Sequence, residues 1–88
     1  MKIQFKDTDR VTLNFLHINT NEESSIVALR NPSTGNWLRI EKIGDRETAY
    51  YSDKNDIKRL IQTIITKNTE KGLKAELTVK PVKPVKLS

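Results

Sequence analysis

The chain has 88 residues, of which 35% are hydrophobic and 31% are charged, and it carries a net charge of +5 with no cysteine. A chain of this length buries roughly 60–65% of its unfolded surface, which allows one domain with a modest core. The absence of cysteine excludes disulfides and thiolate metal sites. Because it lacks both a signal-like apolar N-terminus and the roughly 20 apolar residues of a membrane span, we expect a cytoplasmic protein.

The first 53 residues are typical of short strands separated by turns. Alternating or compact apolar residues predict strands at 2–6, 11–18, 25–30, 37–43 and 48–51. We expect the first two to form a hairpin across a turn at 7–10, where aspartates favour turn formation. Pro32 and Gly35 predict a second turn, between the third and fourth strands.

The most periodic stretch of the sequence predicts an amphipathic helix over about 53–71. Its apolar side chains fall in one stripe at helical spacing: Ile57, Leu60, Ile61, Ile64 and Ile65. Ser52 or Asp53 can cap the first turn, and Gly72 can end the helix in a left-handed conformation. Burial of this stripe against a sheet should contribute about 7–15 kcal/mol, at roughly 1.5–3 kcal/mol for each side chain.

After the helix, residues 73–80 alternate cleanly and predict a sixth, half-exposed strand at a sheet edge. A proline at every third position then favours an extended, flexible basic tail over 81–88. The predicted fold is therefore α+β: a single antiparallel sheet of five to six strands packed on one amphipathic helix. We expect residues 1–80 to form one domain and 81–88 to form the tail.

The strand patterns also predict which side chains the helix covers. The face expected beneath the helix bears Ile3, Phe5, Val11, Leu13, Phe15, Leu38 and Ile40, and the opposite face bears Lys2, Gln4, Lys6, Thr12, Asn14, Trp37, Arg39 and Tyr50. Aromatic and basic side chains on an open sheet can stack with bases and track phosphates. The alternative is that Trp37 and Tyr50 cap the rim of the core while the polar side chains meet water.

Catalysis finds little support in the sequence, so we do not expect an enzyme or a bound cofactor. His17 is the one histidine, and acid–base chemistry needs a positioned partner. The pairs Asp7/Asp9 and Asp53/Asp56 are explained by a turn and by a helix N-terminus, without the further oxygen ligands of a metal site.

The basic residues are concentrated in the second part of the chain. Residues 1–53 have seven basic and eight acidic side chains, whereas residues 54–88 have nine basic and three acidic ones. Such asymmetry suggests an anionic partner. The candidate nucleic-acid-binding residues are Lys54, Lys58, Arg59, Lys67, Lys71, Trp37, Arg39, Lys83 and Lys86.

The abundance of lysine and isoleucine over arginine and alanine resembles the composition of proteins from AT-rich bacteria and their phages.

The sequence as a whole leads to two hypotheses about function. The first is a small, basic, non-catalytic accessory protein of a bacterium or phage that binds single-stranded nucleic acid or a phosphate backbone. The alternative is a protein-interaction module that docks on a host protein through an edge strand, and the same edge could close a homodimer.

Overall fold

The computed structural model describes residues 3–82, which contain one antiparallel five-stranded sheet and a single helix. In chain order the elements are β1 (Asp9–Leu16), β2 (Glu23–Arg30), β3 (Trp37–Ile43), β4 (Arg46–Ser52), α1 (Lys54–Glu70) and β5 (Ala75–Pro81). The strands lie side by side as β4-β3-β2-β1-β5, so the last strand pairs beside the first. The predicted α+β fold class is confirmed. Within residues 3–82, no helix is both long and apolar enough to cross a membrane.

The predicted first strand and its hairpin are wrong. Residues 3–6 form no strand, although Ile3 and Phe5 are buried. The reason is that β1 pairs with β2 along one side and with β5 along the other, which leaves no free edge for this segment. A turn follows as expected, with the Asp9 N–H donating to Lys6 O at 3.0 Å. Ile3 and Phe5 therefore join the core from an irregular segment.

The helix begins and ends as its capping residues predict. Asp53 is the N-cap, and its Oδ1 accepts the N–H of Asp56 at 2.9 Å. At the other end Gly72 has φ +68°, and the Leu73 N–H donates to Asn68 O at 2.8 Å. A left-handed glycine followed by this returning hydrogen bond is a common helix C-terminus.

The core lies between α1 and one face of the sheet. Ile57 and Ile61 are fully buried, Ile65 is nearly so, and Leu60 and Ile64 are partly buried at the flank. The buried side chains that the remainder of the chain contributes are Ile3, Phe5, Val11, Leu13, Phe15, Ile26, Ala28 and Trp37. The predicted apolar stripe of α1 thus packs against the sheet, and Ile57, Ile61 and Ile65 form its centre.

Asn68 joins the helix to the sheet through its buried amide. This side chain is 2% exposed, and its Nδ2 donates to Leu16 O and to Lys74 O, each at 2.8 Å. Since a buried donor must find acceptors, these two bonds fix the last turn of α1 against the end of β1 and the approach to β5.

The predicted faces of β3 are reversed. Trp37 is opposite Arg30 and Arg39 is opposite Ala28, which places Trp37 and Arg39 on the helix side of the sheet. Tyr50 of β4 is opposite Arg39, so its predicted face is wrong for the same reason. Trp37 is 4% exposed, and its ring meets that of Phe5 edge-on at 5.2 Å. β3 has apolar residues on both faces, so its alternation fits either orientation, and a shift of one residue exchanges the faces.

The sheet has two edges, and the prediction that the last strand forms one of them is confirmed. On β5, Lys74 O accepts the Leu16 N–H, and the Val82 N–H donates to Thr8 O. The backbone N–H and C=O groups of even-numbered β5 residues therefore point towards β1, and the backbone of Pro81 points towards the free edge. A proline there removes a donor and weakens the edge as a template for another strand.

The predicted tail begins too early, since Pro81 is still part of β5 and Val82 is still hydrogen-bonded to the start of β1. The rest of the predicted tail, residues 83–88, lies outside the described residues.

The other edge of the sheet is β4, which is exposed from Arg46 to Tyr51.

Candidate functional site

The predicted phosphate-binding residues of α1 fall into two separate groups. Lys54, Lys58 and Arg59 lie in its first turns, and Lys67 and Lys71 lie at its other end. About 13 residues separate Lys54 from Lys67, which is ~20 Å along the helix axis. The helix therefore does not present one continuous basic stripe.

Trp37 and Arg39 belong to neither group. Trp37 is buried, so its ring offers no open face to a base. Arg39 lies against protein groups, with its guanidinium carbon 4.6 Å from the centre of the Tyr50 ring and its Nε 2.8 Å from Glu41 Oε2. This Nε–H is buried without a properly aligned hydrogen bond, so the Glu41 contact is one of charge. The predicted residues Lys83 and Lys86 lie outside the described part of the chain.

The group at the start of α1 surrounds the N-terminal segment. Phe5 is 7% exposed, and Lys54 Nζ and Lys58 Nζ lie 5.4 and 5.6 Å from the centre of its ring. At these distances the ring attracts the two ammonium groups, which also stay in contact with solvent. Lys54 Nζ also donates to Asp7 Oδ1 at 2.9 Å.

Two further basic residues, Arg30 and Lys6, lie at this end of the molecule. The hydrogen bond and charge of Lys54 lower the pKa of the Asp7 carboxyl, and the nearby charges of Arg30 and Lys58 add to this effect. Lys6 and Lys58 line an open depression of about 560 Å³. We call Lys6, Arg30, Lys54 and Lys58 the basic end.

The acidic residues nearby are largely engaged in local structure. Asp7 pairs with Lys54, and Asp9 Oδ2 accepts the backbone N–H of Lys6 at 2.7 Å. Arg59, one of the predicted residues, is paired with Asp56 at 3.2 Å. Among residues 3–82, the side chains of Lys6, Arg30 and Lys58 form no ion pair, which leaves their charges available to an anion.

Sequence reasoning missed Lys6 and Arg30 as members of this group. Arg30 ends β2, where its charge acts on the Asp7 carboxyl, and Lys6 precedes the turn into β1. No local pattern marks either residue, because their proximity to α1 depends on tertiary structure.

Residues 3–82 contain no group of three or more His, Cys, Asp or Glu side chains placed to hold a metal ion. His17 takes part in a turn, where its Nδ1 accepts the Asn19 N–H at 3.3 Å.

No protein-family model, curated protein or solved structure matches this chain.

Proposed function

We propose that this chain is a small, non-catalytic, cytoplasmic protein of a bacterium or phage that binds the phosphate backbone of nucleic acid through its basic end. The observation that carries the proposal is the convergence of Lys6, Arg30, Lys54 and Lys58 around Asp7 and Phe5. Cations at this density attract a polyanion by displacing its condensed counterions.

The course of the chain adds to this argument. The Val82 N–H donates to Thr8 O at 2.9 Å, so the chain reaches the basic end just before Lys83 and Lys86 follow in the sequence. The four cations of the basic end face two nearby carboxylates, those of Asp7 and Asp9. Trp37 and Phe5 are buried, so base stacking has no part in the proposal, and binding should be insensitive to sequence and steeply dependent on salt.

The test is titration of labelled single- and double-stranded oligonucleotides at a series of salt concentrations. Replacing Lys58 by Ala should weaken binding and reduce the slope of log affinity against log salt by about 0.7–0.9. Lys71→Ala provides a matched control, since it removes the same charge at the far end of the same helix and should leave the affinity within about twofold.

Absence of binding at about 50 mM salt would eliminate the proposal, since electrostatic binding is strong at low salt. Equal losses from Lys58→Ala and Lys71→Ala would place the site elsewhere than the basic end.

A second candidate function is a protein-interaction module that takes a partner strand on β4. Gly44 and Asp45 form a two-residue turn between β3 and β4, so Ile43 and Arg46 form a hydrogen-bonded pair. The backbone groups of Glu47, Ala49 and Tyr51 consequently face away from β3. Residues 48–52 carry no charge and no proline, so this edge lacks the protection that Pro81 gives to β5.

The second candidate predicts that the wild-type protein retains a specific host protein in a pull-down after nuclease treatment, and that Ala49→Pro releases it. Proline at this position removes an N–H that points outward, so the sheet itself should persist. A retained protein that is indifferent to Ala49→Pro would argue against pairing on β4.

A further inference from the structure

The face of the sheet away from the helix carries a continuous apolar patch. The register places side chains from adjacent strands next to one another on this face: Val27 and Leu29 of β2, Leu38 and Ile40 of β3, and Ala49 and Tyr51 of β4. Tyr51 is 76% exposed, and no described element of the chain packs over it. We call this side of the sheet the open face.

Charges flank the apolar patch, with both signs in equal number. Within the strands, the open face bears three basic side chains, Arg10, Lys42 and Lys80, and three acidic ones, Glu23, Glu47 and Glu76. Arg10 and Lys80 are direct cross-strand partners, which is unfavourable unless an opposite charge meets them. Glu76 lies on the same face of β5, on the other side of Thr78 from Lys80.

We propose that a second copy of this chain covers the open face, by packing sheet on sheet about a two-fold axis that crosses the strands at the level of Thr78 and Ile40. Rotation about this axis places each strand over the same strand of the second copy, and the two run in opposite directions. Lys80 then lies over Glu76 of the second copy, and Glu76 over its Lys80. Val27 of β2 and Ile40 of β3 lie on the axis, where an isologous interface has its dry centre, and Leu38 lies beside it, over Lys42 of the second copy.

The other simple orientation is disfavoured by charge. A two-fold axis parallel to the strands would place β5 over β4 of the second copy, and Glu76 over its Glu47. Opposed carboxylates at the rim cost affinity, whereas the crossing axis opposes unlike charges. Aligned sheets also pack face to face with a relative twist of about −30°, which the natural twist of each sheet supplies.

The size of the open face is sufficient for a weak, specific dimer. Five strands at about 4.8 Å spacing and about six residues of about 3.3 Å each present roughly 24 by 20 Å. Two such faces bury on the order of 1,000 Å² in total, near the lower limit of specific interfaces. We therefore expect a dissociation constant in the range of about 1–100 µM.

A nucleic acid is a poorer occupant of this face than a second copy. Its phosphates would meet Glu47 and Glu76 at one end of the strands, and the face as a whole is neutral. The basic end lies on the helix side, so dimerisation leaves Lys58 free, and the dimer does not depend on the proposed function.

Sedimentation equilibrium of the full chain from about 10 to 500 µM tests the proposal, with dimer formation as the expected result. Ile40→Asp should weaken association at least tenfold by placing two carboxylates at the centre of the interface. Tyr50→Asp is the matched control, since it adds the same charge on the neighbouring strand but on the helix side, and it should leave association unchanged. Circular dichroism verifies that both variants fold.

A charge exchange tests the orientation independently. Lys80→Glu should weaken the dimer about five- to tenfold while giving Arg10 an opposite charge within its own chain, and adding Glu76→Lys should restore association. A monomer at 500 µM would overturn the proposal. So would a dimer that tolerates Ile40→Asp, or a double exchange that restores nothing.

Discussion

The two faces of the sheet bear similar apolar side chains, but only one of the faces is covered by another element of the chain. On the helix side, Val11 and Leu13 are fully buried beneath Ile57 and Ile61. On the open face, the side chains of Val27 and Ile40 are half-buried by their neighbours and meet no second layer. The single helix lies on one side of the sheet and leaves the other side uncovered, so hydrophobic content in a strand does not by itself identify the core.

The sharpest test of this difference is one substitution made on each face. Ile61→Asp should unfold the protein, because a carboxylate without a partner would enter the core at a cost of more than about 4 kcal/mol. Ile40→Asp, the same change on the open face, should cost about 1 kcal/mol or less. Urea denaturation followed by circular dichroism measures both, and a comparable loss from Ile40→Asp would mean that the open face is covered within the chain.

Two aromatic residues sharpen the comparison further. Trp37 packs on Phe5 in the core, so Trp37→Ala should lower the free energy of unfolding by about 3–5 kcal/mol. Tyr51→Ala should lower it by less than about 1 kcal/mol, since Tyr51 contributes mainly a cross-strand contact with Leu38. Thermal unfolding of dilute samples checks both, and a larger loss from Tyr51→Ala than from Trp37→Ala would reverse the assigned faces.

The smallest expected effect lies at the rim of the helix side, where Lys54 lowers the pKa of Asp7. A lowered folded-state pKa means that the stabilisation is present above the ordinary value of 3.8 and is lost as the pH falls through the folded-state pKa. Lys54→Ala should therefore raise the Asp7 pKa towards that value, and the part of its stability loss that comes from the Asp7 pair should disappear at the lowest pH, whereas the part from the Phe5 contact should remain. The Asp7 side chain is 58% exposed, so solvent limits the effect. An NMR titration of the Asp7 carboxyl in both proteins would show an unchanged pKa if the pair is not formed in solution.

The helix could be predicted from the sequence because its information is local. Ile57, Ile61 and Ile65 repeat at a helical spacing, and Asp53 and Gly72 supply their own capping chemistry. The α+β class and the edge position of β5 follow from patterns of the same kind.

The faces of β3 could not be predicted, because Trp37 and Ile40 make both sides of the strand apolar and the register with β2 decides between them. Only half of the basic end can be predicted from the sequence, for a similar reason. Lys54 and Lys58 lie in the periodic helix, whereas Lys6 and Arg30 are brought to them by the turn before β1 and by the end of β2. Long-range pairing of this kind leaves no mark on a single stretch of sequence.

The most direct test of two apolar faces, one covered by the helix and one by a second copy, is solvent paramagnetic relaxation of the isoleucine methyl groups at rising protein concentration. The Ile61 methyl should be protected at every concentration. The Ile40 methyl should be accessible in dilute protein and become protected as dimers form. An Ile40 methyl that is already as protected as Ile61 at the lowest concentration, or that stays accessible at the highest, would contradict the account.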